Sequence, residues 1–131
     1  MTLRPDLSAE FDVEVGDADT ALALGSGNLE VLGTPRVVAL MEQATVRAVA
    51  GDLPAGQTTV GVEVVVRHRR PSLLGARIRV VARLGEVADK RLRFDVAAYE
   101  GDALIADGTV RRVIVDREKF MNRSVIGGRT G

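Results

Sequence analysis

One stretch of this sequence has the period of a helix, and long stretches with the period of strands lie around it. Apolar residues recur at three- and four-residue spacing over about 34–50, which predicts one helix. Apolar and polar residues alternate instead over about 9–15, 58–70, 77–87, 91–100 and 103–115. One helix with five to six strands, the last four joined in succession by short breaks and turns, predicts an α+β fold in which a curved antiparallel sheet wraps the helix.

The predicted helix has clear ends and a broad apolar surface. Thr34 is expected to be its N-cap, Pro35 to take the first helical position, and Gly51 to end it. Its expected buried stripe consists of Val37, Val38, Met41, Ala44, Thr45, Ala48 and Val49. Apolar side chains also occur on the opposite face, so we expect protein to cover much of the helix circumference.

Each long strand is expected to turn one apolar face toward the helix. The inward residues expected on the second and third long strands after the helix are Ile78, Val80, Ala82, Leu84, Leu92, Phe94, Val96 and Ala98. On the first long strand after the helix, over about 58–70, His68 has the same parity as Val60, Val62, Val64 and Val66. His68 is therefore predicted to face the helix at the end of an apolar strand.

The remaining segments have no long period. Residues 16–33 predict an irregular loop, with Gly-Ser-Gly-Asn at 25–28 as its most flexible part. Asp116 is expected to cap a short helix that runs through Phe120. Residues 121–131 are expected to form a flexible tail after a single domain of residues 1–120.

The composition excludes several classes of protein. The chain has no cysteine and one histidine, which excludes a disulfide framework, a thiolate nucleophile and a cysteine-ligated metal site. Its 18 basic and 18 acidic residues give no net charge, which argues against a nucleic-acid binder. No apolar run reaches the roughly 20 residues of a membrane span, and the N-terminus lacks the apolar core of a signal peptide. We therefore expect a cytoplasmic protein that needs no metal or other cofactor.

Three polar residues lie at positions where chemistry is conceivable, and each also has an ordinary structural explanation. Thr34 is accounted for as a helix cap. Glu42 lies near the buried stripe, where a carboxylate is costly unless it is hydrogen-bonded, but its side chain can also reach water at the edge of the stripe. His68 can be a core histidine with satisfied nitrogens. None of the three identifies a site by itself.

Together with their surroundings, these residues resemble a known family. The segments VLGTPRVVALMEQATVRAV, TTVGVEVVVRHRRPSLLGARIRV and FDVAAYEGDALIADGTVRRVIVDREKF resemble the fluoroacetyl-CoA thioesterase-like branch of the hotdog-fold thioesterases. The resemblance covers about residues 10–120. It implies the hotdog fold and the hydrolysis of an acyl-CoA thioester to the free acid and CoA.

The resemblance also implies a set of site residues. Thr34, Glu42 and His68 stand at the positions of the family's catalytic group, and Gly61 stands at a position close to the thioester. Glu42 would act as general base on water or attack directly, and His68 would move protons near neutral pH. We expect Thr34 to bind and orient the substrate, since the sequence places no base beside it. Gly61 is also explained as a strand glycine that permits a bulge or close packing.

The substrate is expected to be an acyl-CoA or another acyl thioester, such as one on a carrier protein, with an acyl group other than fluoroacetyl. CoA carries phosphates, and Arg69 and Arg70 follow His68 closely enough to bind them, although either arginine is also explained as a solvated strand residue. Family members that are selective for fluoroacetyl-CoA carry bulky aromatic residues in the segment before the helix. Residues 24–29 contain no aromatic ring, so this chain departs from that pattern.

The spacing of Thr34 and Glu42 predicts that two chains build each site. Eight helical residues advance about 12 Å along the axis and turn the side chain by roughly 80°. The two side chains of one helix are therefore not expected to reach the same reacting carbon. Two antiparallel helices across a dimer axis solve this problem, and an unpaired sheet edge supplies a dimer contact. We expect a homodimer, which can pair further into a dimer of dimers.

Three other functions fit parts of the sequence. A hotdog protein that binds or senses acyl-CoA without turnover would keep the pocket, but it does not explain an intact set of Thr34, Glu42 and His68. A hotdog hydratase commonly pairs an aspartate with a histidine, and no aspartate precedes His68 in VEVVVRH. A structural or interaction module explains the core but not the polar residues on its faces. Thioester hydrolysis therefore ranks first.

Overall fold

A computed structural model describes residues 3–122, in which one long helix lies against a five-stranded sheet. The elements are β1 (Ser8–Glu14), α1 (Ala21–Leu24), α2 (Thr34–Val49), β2 (Gln57–His68), β3 (Arg77–Ala88), β4 (Arg91–Glu100) and β5 (Ala103–Asp116). The strands lie in the order β1-β3-β4-β5-β2, and each is antiparallel to its neighbours. The predicted α+β architecture is confirmed. Within residues 3–122, no helix is long and apolar enough to cross a membrane.

The core lies between α2 and the sheet. All eight residues expected to face inward from β3 and β4 are at most 4% exposed: Ile78, Val80, Ala82, Leu84, Leu92, Phe94, Val96 and Ala98. They pack with the apolar side of α2 in one cluster. Removing this apolar surface from water is the main favourable contribution to folding, so the alternation of these eight residues fixes which face of the sheet is turned toward α2.

The helix begins at Thr34, one residue before Pro35, which the sequence predicts as the first helical residue. Gly33 occupies the N-cap position, and Thr34 is the first helical residue with Pro35 behind it. The expected N-cap role of Thr34 is therefore wrong. The predicted stripe is buried except that Val38 is only half-buried, while Leu40 is buried as well. Leu40 joins the core because more than one row of helix side chains is covered.

Residues 16–33 contain more regular structure than expected. A short 3-10 helix covers Asp17–Asp19, and the one-turn helix α1 follows it. Thr20 caps α1, since its Oγ1 accepts a hydrogen bond of 3.1 Å from the N–H of Ala23. Elements of three and four residues are shorter than the window in which a period can be detected, which is why the sequence indicated only a loop.

The end of the described chain is helical. Oδ1 of Asp116 accepts a hydrogen bond of 3.0 Å from the N–H of Lys119, as expected for the residue that caps this segment. The helical segment covers 117–122 and thus extends past Phe120. The expected flexible tail, residues 121–131, lies outside the described residues from position 123 onward.

A bulge divides β2 into two parts. Gly61 pairs with Arg112 of β5, and Glu63 pairs with Arg111, so that Val62 is an extra residue in β2. An extra residue reverses the alternation of a strand beyond it. Odd-numbered residues of β2 therefore face the helix before the bulge, and even-numbered residues face it after the bulge.

The bulge corrects the expected faces of β2. Thr59 is buried, and Gly61 lies against helix α2, so these two residues face inward before the bulge. The expectation that Val60 and Val62 share a face with His68 is therefore wrong, and Val62 is 60% exposed. Gly61 and His68 are separated by an odd number of positions, yet the extra residue allows both to face the helix.

Candidate active site

Thr34 and His68 meet where α2 begins and β2 ends. Oγ1 of Thr34 and Nδ1 of His68 are 2.8 Å apart, in a hydrogen bond between side chains 34 positions apart in the sequence. The Thr34 hydroxyl is available for this bond because Gly33 takes the N-cap position. The expectation that no base lies beside Thr34 is therefore wrong. The sequence could not show this contact, since the two residues belong to different elements.

His68 has the properties of a base in this contact. Burial lowers the pKa of His68 below its ordinary value. A hydrogen bond with the backbone of Arg70 acts in the opposite direction, but burial is the larger effect. Its ring is therefore neutral at neutral pH. Nε2 of His68 is buried and has no hydrogen-bond partner within residues 3–122. When the ring proton is on Nε2, Nδ1 accepts a hydrogen bond from the Thr34 hydroxyl and can take up its proton.

Glu42 belongs to a second cluster, two turns further along α2. Nη1 of Arg112 donates a hydrogen bond of 3.2 Å to Oε2 of Glu42. Nε of Arg112 donates to Oγ1 of Thr59 at 2.9 Å, and Nη2 donates to the Thr59 carbonyl at 3.2 Å. The Arg112 side chain is 8% exposed, and that of Glu42 is 36% exposed. A nearly buried guanidinium thus connects the helix carboxylate to the first part of β2.

Arg112 is a functional candidate that the sequence analysis missed. Burial lowers the pKa of Arg112, and the charge of Glu42 raises it. Arginine stays protonated in proteins, so the nearly buried cation requires its anionic partner. A signal for it exists in the sequence: Arg112 has the parity of Val110 and Ile114, which pack in the core. An arginine at an inward position of an apolar strand is unusual enough to be singled out.

Gly61 gives Glu42 room to lie against the sheet. A Cβ atom at Gly61 would stand 2.5 Å from Oε2 of Glu42 and 3.2 Å from Nη1 of Arg112. Real Cβ atoms do not approach other atoms as closely as the first of these distances. Any other residue at position 61 would therefore displace the carboxylate.

The structure brings the predicted site residues together in two groups. Thr34 contacts His68, and Glu42 lies against Gly61. Thr34 and Glu42 are eight residues apart on α2, a rise of about 12 Å. Gly61 and His68 are seven residues apart on β2, and because one of these is the extra residue of the bulge, the rise is about 20 Å. One chain therefore holds two half-sites that do not meet.

Arg69 and Arg70 continue the chain directly after His68. Their N–H groups both donate to the carbonyl of Ile105, at 2.7 and 3.2 Å. Nε of Arg69 lies 2.8 Å from Oδ1 of Asp107 in an exposed ion pair, while the exposed Arg70 has no ion pair with any residue from 3 to 122. Exposed ion pairs contribute little and open readily, so both guanidinium groups are accessible to an anion.

An aliphatic surface lies next to the start of α2. A Cβ atom at Gly33 would stand 2.9 Å from Cδ1 of Leu24, which places Leu24 beside the N-cap of the helix. Leu22, Leu29 and Leu73 are also exposed, by 52%, 64% and 67%. Leu73 lies between β2 and β3 and forms a β-bridge with Val31, which joins it to the segment before α2. Exposed apolar side chains grouped in this way are typical of a surface that binds a ligand or another chain.

Comparisons with known proteins agree with the fold and with the resemblance. The fluoroacetyl-CoA-specific thioesterase family matches residues 15–118. A fluoroacetyl-CoA thioesterase from Streptantibioticus cattleyicolor is 37% identical over 91 residues, which are 70% of this chain and 66% of that protein. This alignment thus spans just under two thirds of that relative.

Solved structures are similar over nearly the whole chain. A mutant of a fluoroacetyl-CoA-specific thioesterase has a TM-score of 0.86 at 30% identity, covering 94% of this chain and 96% of that one. A Thermus thermophilus member of the thioesterase superfamily has a TM-score of 0.86 at 28% identity, covering 98% and 97%. A hot-dog-like protein from Thermanaerovibrio acidaminovorans, at 22% identity and a TM-score of 0.87 over 98% and 94%, shows the fold alone.

The fold and the family follow from these matches. The structural likeness confirms the predicted hotdog fold, with α2 as its central helix. The family match covers well over half of the chain. The protein therefore belongs to the fluoroacetyl-CoA-specific thioesterase family, a family of thioester hydrolases.

Proposed function

We propose that this protein hydrolyses acyl-CoA thioesters to the free acid and CoA, with Thr34, Glu42 and His68 as its catalytic residues. The observation that carries the proposal is the hydrogen bond between Thr34 and His68, a hydroxyl group with a base in contact. Membership of a thioesterase family supports the same reaction. Cytoplasmic location is part of the proposal and rests on the sequence features described above.

The proposal includes a homodimer that pairs β2 with its copy. β2 is an edge strand of the sheet, 12 residues long, and Val62 and Val65 on it are 60% and 50% exposed. A long unpaired edge with exposed valines favours pairing with another strand. Antiparallel pairing across a two-fold axis would bring the Thr34–His68 half-site of one chain to the Glu42–Gly61 half-site of the other. A dimer of dimers is a further step that the proposal allows.

The bulge supports one particular register for this pairing. If Val65 pairs with its own copy, then Val66 pairs with Val64 and Arg67 with Glu63. The next pair is His68 with Gly61, because Val62 is the extra residue of the bulge and takes no partner. This register pairs inward residues with inward residues, as an antiparallel ladder requires. It places the two-fold axis at Val65.

The first chemical step that we propose is transfer of the acyl group to Thr34. Oγ1 of Thr34 attacks the thioester carbonyl carbon while its proton passes to Nδ1 of His68. The carbon–sulfur bond breaks, and Nδ1 of His68 passes this proton on to the CoA sulfur. The products are an ester on Thr34, free CoA, and a neutral His68. Nε2 keeps its proton throughout, so Nδ1 can again accept from the Thr34 hydroxyl in the next cycle.

The second proposed step is hydrolysis of the ester by water. Glu42 of the other chain accepts one proton from the attacking water. The ester bond to Thr34 breaks, and Glu42 returns the proton to Oγ1, which leaves the free acid and restores the hydroxyl. The nearby Arg112 supports this role by keeping Oε2 occupied, so that Oε1 is directed to the water.

We propose that Gly61, Arg69 and Arg70 bind the substrate. Gly61 provides a surface without a side chain, on which the thioester can lie beside Glu42. The guanidinium groups of Arg69 and Arg70 would hold the phosphates of CoA at the end of β2. Arg69 would exchange its bond to Asp107 for one to phosphate.

The acyl group that we propose is aliphatic and not selectively fluoroacetyl. Leu24 lies against Gly33, directly before the catalytic Thr34, and Leu22 and Leu29 belong to the same segment. Residues 24–29 contain no aromatic ring. Leucine side chains favour alkyl groups through burial of apolar area, and they offer no special preference for fluorine.

Release of free thiol from a panel of acyl-CoAs tests this proposal. The panel runs from acetyl and fluoroacetyl through longer alkyl chains to aryl groups, and it is measured with wild type, Glu42→Gln and Glu10→Gln. Glu10 is a matched control, because it is an exposed carboxylate that pairs with Arg79 and lies on β1, at the opposite edge of the sheet from β2. We expect turnover of alkyl-CoAs that falls at least about 100-fold in Glu42→Gln and remains in Glu10→Gln.

The other outcomes separate the alternatives. Equal turnover by wild type and Glu42→Gln would remove Glu42 from the mechanism. Binding of acyl-CoA without turnover of any member of the panel would replace hydrolysis by the binding or sensing function. A strong preference for fluoroacetyl-CoA would contradict the proposed acyl group while retaining the reaction.

A further inference from the structure

We infer that Thr59 is a positioning residue for the catalytic carboxylate: it holds Arg112 in the orientation in which Arg112 holds Glu42. This inference rests on the proposed function, since it assigns a task to Thr59 only if Glu42 takes part in the reaction. Thr59 lies on β2 before the bulge and is 8% exposed. It is not expected to touch the substrate.

Thr59 fixes two of the three nitrogens of the Arg112 guanidinium. Its Oγ1 accepts from Nε at 2.9 Å, and its carbonyl accepts from Nη2 at 3.2 Å. The remaining nitrogen, Nη1, donates to Oε2 of Glu42 at 3.2 Å. Because the guanidinium group is planar and rigid, fixing Nε and Nη2 also fixes the direction of Nη1.

Glu42 depends on this direction. Among the described residues, its only side-chain hydrogen bond is the one from Arg112. Its side chain is 36% exposed, so it would otherwise sample several rotamers in contact with water. On the other side Oε2 lies close to the backbone of Gly61, 2.5 Å from the point where a Cβ atom would stand. The carboxylate is therefore held between Arg112 and the bare backbone of Gly61.

Loss of the Thr59 hydroxyl would release this arrangement. The N–H of Arg112 Nε would remain buried without an acceptor, which is costly for a charged group. The guanidinium would turn to recover a partner, and Nη1 would no longer point at Oε2. The expected result is a misaimed carboxylate in a protein that still binds its substrate.

The first test compares two substitutions at position 59 with a control on the neighbouring position. Thr59→Val keeps the shape of the side chain and loses the acceptor, whereas Thr59→Ser keeps the acceptor. With the acyl-CoA that wild type hydrolyses fastest, we expect Thr59→Val to lower kcat at least about 10-fold and to change KM less than about 2-fold. Thr59→Ser is expected to restore most of kcat. Thr58→Val, a substitution on the same strand outside this cluster, is expected to match wild type.

The second test asks whether Thr59 acts through Glu42. In a Glu42→Gln background, adding Thr59→Val is expected to cause no further loss of the residual rate, because the group that it positions is already gone. An equal loss in both backgrounds would overturn the inference and indicate a general structural effect. Wild-type kcat in Thr59→Val would also overturn it.

Failure of this inference and failure of the proposed function give different results. If Glu42→Gln hydrolyses acyl-CoA as fast as wild type, the proposed catalytic role of Glu42 fails. If Glu42→Gln is inactive while Thr59→Val has normal kcat, only the inference about Thr59 fails. Thermal unfolding of every variant shows whether it is folded. If Thr59→Val does not fold, Thr59→Ala, which removes the acceptor without adding an apolar group, takes its place under the same criteria.

Discussion

Oγ1 of Thr34 lies 2.8 Å from Nδ1 of His68, so the first residue of the central helix and the last residue of β2 share a hydrogen bond. Thr34 precedes Pro35 at the start of the helix, where its side chain is exposed. A hydroxyl group at this position is free for chemistry because Gly33 ends the preceding segment as the N-cap. The contact makes Thr34 a candidate nucleophile, and its consequences are measurable.

Replacement of Thr34 by alanine is expected to abolish activity with little effect on stability. We expect kcat to fall at least about 100-fold, because the proposed nucleophile is removed, while Thr34→Ser retains much of the rate. The free energy of unfolding should change by less than about 0.5 kcal/mol, since Thr34 makes no capping bond to the helix. Thiol release and chemical denaturation measure the two effects.

Trapping of the intermediate provides the control for this prediction. Glu42→Gln incubated with an acyl-CoA should accumulate the acyl group on Thr34, which mass spectrometry of the peptide containing residue 34 detects. Turnover by Thr34→Ala at the wild-type rate would exclude Thr34 as nucleophile. Turnover that depends on Thr34 without any trapped ester would favour direct attack of water or Glu42.

An added methyl group at Gly61 is expected to slow the reaction. The new Cβ would stand 2.5 Å from Oε2 of Glu42, so the carboxylate must move away from its place. We expect Gly61→Ala to lower kcat at least about 10-fold while the protein remains folded. Gly51→Ala is the matched control, because a Cβ at Gly51 meets no atom within 4 Å. Equal activity of the two variants would show that Glu42 tolerates displacement.

His68 is expected to make stability depend on pH. Burial lowers its pKa in the folded protein, whereas the unfolded chain has the ordinary value of about 6.5. Between these two values the unfolded chain binds more protons, so the free energy of unfolding rises with pH. The stability that neutral His68 contributes is fully present above about pH 6.5, and it is lost as the pH falls through the pKa of His68 in the folded protein. Denaturation of wild type and His68→Gln from pH 8 to 5 should show a smaller slope in the variant.

Activity should follow the same titration. The proposed mechanism requires a neutral His68, and the lowered pKa keeps the ring neutral below the usual histidine range. We therefore expect kcat/KM to remain near its plateau as the pH drops through about 6.5 and to decline only at lower pH. A decline centred at or above the ordinary histidine pKa would contradict a neutral His68 as the base.

The proposed dimer predicts a specific cross-link. Val65 is half exposed on the edge strand, and it pairs with its own copy in the proposed register. Because the chain has no cysteine, Val65→Cys introduces a single thiol. We expect oxidation of Val65→Cys to give a covalent dimer on non-reducing denaturing gels. Val81→Cys on β3 should migrate as a single chain on the same gels. A monomer by sedimentation, or no cross-link at position 65, would contradict this interface.

Mixed dimers test whether the site is shared between chains. Neither Thr34→Ala nor Glu42→Gln should be active alone. Random reassortment of the two variants makes half of the dimers mixed, and each mixed dimer has one intact site. We therefore expect recovery of about a quarter of wild-type activity. Mixed dimers without activity would indicate that one chain builds each site by itself.

The sequence by itself determined the elements of the fold and the direction of its core. Alternation on β3 and β4 predicted every fully buried residue of these strands, because a strand side chain reaches the core only from every second position. The helix period predicted α2 to within a residue or two at its ends. Resemblance to the thioesterases drew attention to Thr34, Glu42 and His68, whereas no local pattern gives these three residues a role.

Only the tertiary structure decided how those residues meet. The extra residue Val62 is visible only when β2 is paired with β5, since a bulge is defined by the neighbouring strand. In the same way, the partners of Arg112 come from β2 and from the helix, at positions 53 and 70 residues away. Periodicity reports the local surroundings of a residue, but the distance between two remote side chains is set by the packing of the elements that carry them.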